Sequence, residues 1–146
     1  LVRPFADTGS GTPWPPIAFG LHLAAAGLLV PVFEELLMRG FIFRFILQWE
    51  ASRREQAADP LGQVLEEKSI NDLSPATWSW NAVIISTLIF AAGHHPHEWL
   101  AAIVYGALMA GLMISRRDLL TPVVAHAVTN IGLGLYIYFT GSWYLW

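Results

Sequence analysis

Charged residues are absent from four long stretches of the chain: Thr8 to Phe33, Leu73 to His97, Trp99 to Ser115 and Leu119 to Trp146. A helix needs about 20 mostly apolar residues to cross the hydrocarbon of a bilayer. The pattern predicts a first helix from Ile17 to about Gln48 and a second from about Trp78 to His95, ended by Pro96. A third runs from about Trp99 to Ser115 and a fourth from about Leu119 to Phe139, with Pro122 tolerated in its first turn. The first would be roughly 48 Å long, against an apolar thickness of ~30 Å. It must tilt, kink or leave the membrane, and its end (Arg44, Gln48, Glu50, Arg53, Arg54) reads as interfacial. Residues 1–16, rich in Pro, Gly, Ser and Thr, read as a loop. Residues 50–77 read as a polar loop with a short amphipathic helix, and nine of the nineteen charges lie between Glu50 and Asp72. No internal repeat is present. The expectation is an all-α integral membrane protein: one domain over residues 1–146, a bundle of about four transmembrane helices with a polar cytoplasmic loop.

Composition sharpens this. The chain is 55% hydrophobic and 13% charged, with mean hydropathy +0.49; a soluble domain carries roughly a quarter charged residues. An ordinary soluble enzyme, a nucleic-acid binder and a disordered tail are excluded. The net charge of −3 says little, because charges in a membrane protein act by position. There is no Cys, which removes a disulfide scaffold, a thiolate nucleophile and a cysteine metal site. The chain begins at Leu1 with no charged segment before an apolar run, so no signal peptide is read, and an N-terminal part is expected to precede it. Arg44, Arg53 and Arg54 follow the first helix, and Arg116 and Arg117 the third. With four crossings both loops face one side, which the positive-inside rule makes cytoplasmic. Trp49, Trp78, Trp80, Trp99, Trp143, Tyr144 and Trp146 lie near the proposed helix ends, as in an aromatic belt. Ala102, Gly106 and Ala110 form a small-residue stripe on the third helix, read as packing.

Polar residues inside the apolar stretches carry the chemistry. Glu34 and Glu35 interrupt Leu28–Phe33 and Leu36–Met38, with Arg39 following. An ionisable residue at mid-bilayer costs on the order of 3 kcal/mol or more and marks function by default. Successive helical residues point about 100° apart, so the two acids cannot aim at one spot. Glu35 and Arg39 are four apart with the acid first, the better order for a pair. This assigns Glu35 to Arg39 and leaves Glu34 outside that pair. Pro31, one turn earlier, removes a backbone donor and clashes with the Gly27 carbonyl, which predicts a kink opening space for water. Phe90 and His94 share a face at the end of the second helix, with Thr87 below. His97-Glu98 invites a zincin reading, but Ala101 stands where the second His should be. His95 and His97 read as interfacial, and His22 as a satisfied helix histidine. His126 and Asn130 share a face of the fourth helix. Counted along the helical rise from the expected cytoplasmic ends, Glu34, His94, His126 and Asn130 lie about 11–21 Å deep, in one slab. A carboxylate with an imidazole can activate water, and an imidazole with an amide can donate to a developing oxyanion. No Ser is placed as a nucleophile beside a His.

Glu34-Glu35-Leu36-Leu37-Met38-Arg39, Phe90 to His94, and His126 to Asn130 together resemble the E-E-x-x-x-R, F-x-x-x-H and H-x-x-x-N motifs of the CAAX protease and bacteriocin-processing (CPBP, or Abi) family of intramembrane proteases. The stretch from Ala125 through Trp143 is also similar to bacterial CAAX-protease-related proteins that accompany exosortases. The resemblance implies a glutamic-type endopeptidase of the bacterial inner (cytoplasmic) membrane, acting on a membrane-associated peptide or protein near its C-terminus. By it Glu34 and His94 activate water, His126 and Asn130 form the oxyanion site, and Glu35 and Arg39 support the first helix. No cofactor is expected; the alternative is a zinc hydrolase with Glu34, His94 and His126 as ligands. A non-catalytic immunity or scaffold protein is a further alternative. A proton-relay transporter is disfavoured, because the outer half of the helices lacks carboxylates and His.

Overall fold

The computed structural model describes residues 14–66, 69, 73–74 and 77–145. The expected loop over 1–16 lies outside the described residues apart from its last three positions, as does part of 50–77. Among the described residues there are five helices: α1 Pro16–Arg54, α2 Pro60–Glu66, α3 Trp80–Ala92, α4 Trp99–Arg116 and α5 Leu120–Thr140. No strand occurs among the described residues.

Among the described residues, three stretches are long and apolar enough to cross a membrane: Pro16–Arg54, Pro96–Arg116 and Leu120–Thr140. The protein is an all-α membrane protein, and α3 adds a shorter apolar helix to these three, in keeping with the expected bundle of about four. Helix α3 is apolar and has only 13 residues, about 20 Å against the ~30 Å of hydrocarbon. Its ends have local causes. The Ser79 hydroxyl accepts the Ala82 N–H at 3.1 Å and starts the helix two residues after Trp78. The Phe90 and Ala91 carbonyls take the N–H groups of Gly93 and His94, closing the helix before His94. His94 and His95 therefore lie past the helix, not on it.

Helix α1 overshoots its expected end. Glu50 and Arg54 pair one turn apart at 3.9 Å, and Arg53 lies 5.1 Å from the Trp49 ring. The helix stops at Gln56, whose φ is +57°. There the Ala57 N–H donates to Ser52 O and the Gln56 N–H to Arg53 O, the paired bonds of a Schellman end. Residues 50–54, expected in the polar loop, are thus helical, and α2 is the short helix expected within that loop.

Two π segments, Ala25–Leu29 and Leu36–Ile42, flank the α-helical turn Val30–Glu35. The N–H groups of Val30 and Phe43 reach carbonyls five residues back, at Ala25 and Met38. A widened turn is a response open to a helix that must accommodate the missing donor and the ring of Pro31. At the site of the expected kink, the helix widens.

The chain divides into two compact units, Leu1–Val32 with Val124–Trp146, and Phe33–Val123. In the first, Phe19 stacks on Tyr138 at 4.8 Å and meets Trp143 edge-on at 6.0 Å. A Cβ on Gly27 would stand 2.5 Å from Ile131 Cγ1, so α1 and α5 touch closely there. Gly27→Ala should force Ile131 away and lower stability by about 1–3 kcal/mol, read as a lower melting temperature in detergent; an unchanged melt would show the contact to be soft.

In the second unit, Met38, Phe90, Ala91 and Ala102 form one buried cluster, and Phe43, Ile46, Leu47 and Ala82 another. The Ala102–Gly106–Ala110 stripe is buried, and a Cβ on Gly106 would lie 3.2 Å from both Phe90 and Thr87. Polarity is inverted relative to a soluble protein. Glu35 and Arg39 have no exposed surface, while Phe33 is 71% and Leu100 78% exposed. Such a surface suits lipid, whereas a buried ion pair demands partners.

Candidate active site

The second unit carries Glu34, Glu35, Arg39 and His94. Arg39 is its electrostatic centre. Its Nη1 donates to Glu35 Oε1 at 3.4 Å, and its Nε lies 3.3 Å from Oε2. Its Nη2 donates to the Gly106 carbonyl on α4 at 2.7 Å. The guanidinium carbon lies 5.2 Å from the centre of the Phe90 ring. The spacing anticipated the first of these contacts. The Gly106 carbonyl went unforeseen, because a small-residue stripe reveals that backbones approach but not which backbone group is used. Glu34 is half-buried, and the Arg39 charge also acts on it. The Arg39 charge thus acts on both acids, and Glu35 forms an ion pair with it.

His94 leans on the same Phe90 ring, with ring centres 4.6 Å apart. Its Nδ1 lies 2.9 Å from the Phe90 carbonyl oxygen. A carbonyl only accepts, so Nδ1 donates here, and in the neutral imidazole this leaves a lone pair on Nε2. The same carbonyl takes the Gly93 N–H at the end of α3, and its second lone pair serves the imidazole. The Trp99 indole N–H donates to the His94 carbonyl at 3.1 Å, tying down the backbone beyond the helix. Glu35, Arg39, Phe90 and His94 form one continuous chain of contacts.

The first unit carries His126 and Asn130. His126 is buried, and Asn130 is half-buried with its Nδ2 donating to the Ala26 carbonyl at 2.8 Å. One of the two amide hydrogens is thereby engaged.

Residues set aside as peripheral are placed accordingly. His95 and His97 are exposed and stacked 5.7 Å apart, and Glu98 Oε2 accepts the His95 N–H at 3.0 Å. His22 meets Trp14 edge-on at 5.1 Å. Asp118 caps the start of α5, accepting the Thr121 N–H at 2.6 Å and its hydroxyl at 2.8 Å. The Thr121 backbone bond, with its side-chain bond next, holds the Asp118 carboxyl below the usual carboxylate range. The stability this gives is present above the unfolded-state value and is lost as pH falls through the lowered one. Among the described residues no group of three His, Asp or Glu side chains is arranged to hold a metal ion.

The family model described as type II CAAX prenyl endopeptidase Rce1-like matches residues 16–132. The chain belongs to that family. Glu34, Glu35, Arg39, His94, His126 and Asn130 all fall inside the matched span. No curated protein and no solved structure matches the chain. Membership makes this a CAAX-type membrane endopeptidase, a hydrolase whose substrate is a membrane-associated protein.

Proposed function

We propose that this CAAX-family protein cleaves its substrate with a water activated by Glu34 and His94, without a metal. The observation that carries the reading is the unequal placement of the two adjacent acids. Glu35 is fully buried against Arg39, whereas Glu34 is half-buried and outside that contact. The half-buried Glu34 is the carboxylate proposed as the general base. His94, with its proton on Nδ1, offers Nε2 as a second acceptor for the same water. As the water oxygen bonds to the scissile carbonyl carbon, one water proton passes to Glu34 and the carbonyl oxygen takes negative charge. His126 and the second amide hydrogen of Asn130 are proposed to donate to that oxygen. Collapse of the intermediate breaks the C–N bond, and the proton on Glu34 passes to the leaving amine.

The proposed setting is a bacterial cytoplasmic membrane. Arg53 and Arg54 at the end of α1, and Arg116 and Arg117 at the end of α4, would face the cytoplasm. The substrate would be cut near its C-terminus. Reconstituted protein should cleave a single bond near the end of a farnesylated CAAX-box peptide or its unprenylated counterpart, mapped by mass spectrometry. Cleavage should persist in excess chelator. One zinc per chain, lost together with activity, would overturn the metal-free mechanism.

A further inference from the structure

Pro31 leaves a backbone acceptor in the first unit that helix α1 itself cannot fill. In an α-helix the Ala26 carbonyl would receive the N–H of Val30. Here that N–H turns to Ala25 O, five residues back. The next donor for a five-residue step would be residue 31, and proline has no N–H. A carbonyl without a donor is costly in an apolar surrounding. Asn130 Nδ2 supplies the missing donor at 2.8 Å, from 104 positions along the chain. The short asparagine side chain can reach because α1 and α5 touch one residue further on, at Gly27 and Ile131.

We infer that Pro31, together with the π turn before it, positions the Asn130 amide by creating the acceptor that holds it. The terminal torsion of an asparagine is broad when nothing restrains it. One hydrogen fixed on Ala26 O sets the amide plane, and with it the direction of the second N–H and of Oδ1. Pro31 is thus a positioning residue acting through Asn130. Its consequence for turnover rests on the oxyanion role proposed above, whereas the hydrogen bond itself does not.

Protein labelled with 15N-asparagine carries three side-chain amide pairs, from Asn71, Asn81 and Asn130. Loss of one pair in Asn130→Ala assigns the third. In wild-type protein in detergent micelles, the Asn130 pair should exchange slowly with solvent. Pro31→Ala restores a backbone N–H able to reach Ala26 O, and exchange of the Asn130 pair should rise by roughly fivefold or more. On the farnesylated CAAX-box peptide, Pro31→Ala should lower kcat toward the Asn130→Ala value with KM little changed. The double variant should be no slower than Asn130→Ala alone. Wild-type Asn130 exchanging as fast as a free asparagine peptide would overturn the inference without any proline variant, and so would unchanged exchange in Pro31→Ala. Faster exchange with wild-type turnover in both single variants would uphold the positioning bond and remove the oxyanion role of Asn130.

Discussion

Glu34→Gln should reduce cleavage by about 10²–10⁴-fold, the contribution typical of a positioned general base, while the protein inserts and melts as wild type. The substitution keeps the side chain's shape and removes its basicity. It leaves intact the ion pair between Glu35 and Arg39, both without exposed surface. Folding should therefore be indifferent to a change that chemistry cannot tolerate. The fall should appear in kcat and equally in kcat/KM, because a base acts only once the proton begins to move. Turnover retained within a few-fold would sink the assignment. So would an equal fall in Glu35→Gln at unchanged stability, since the two acids would then be interchangeable.

Glu35→Gln and Arg39→Met should show the reverse, with stability lost first. Each strands a buried group: the first takes from the guanidinium its ion-pair partner, the second leaves a buried carboxylate without its cation. Breaking a buried pair from one side costs about 3–5 kcal/mol, more than such a pair contributes on balance, because the remaining charge stays out of water. At this chain length the melting temperature in detergent should drop by roughly 10 °C. The double variant Glu35→Gln/Arg39→Met should be less destabilised than the two single losses added together, since no charge is left behind. Arg39→Met should also disturb His94, because both side chains pack on the Phe90 ring. Additive losses in the double variant would show that the pair is not the stabilising unit.

Much of this protein was determined by the linear order of apolar and charged positions. A bilayer demands long uncharged helices, so the windows free of charge located α1, α4 and α5 to within a few residues, apart from the far end of α1. The exposure of Phe33 and Leu100 beside a fully buried Glu35 and Arg39 follows from the same demand. The Glu35–Arg39 pair was legible because both residues lie on one helix, where spacing alone places them together. Tertiary structure decided what spacing cannot reach. The Gly106 carbonyl as the second partner of Arg39 lies 67 positions away. The end of α3 before His94 depends on which N–H groups the last carbonyls take, so His94 meets Phe90 through its backbone oxygen and not merely along a helical face. The link from Asn130 to Ala26 exists only because Pro31 and a π turn leave that carbonyl without a helical donor. Sequence periodicity assumes a constant number of residues per turn and reports only neighbours on one helix. Hydrogen-bonding demands left unmet by one helix are satisfied by another, and that choice is made in three dimensions.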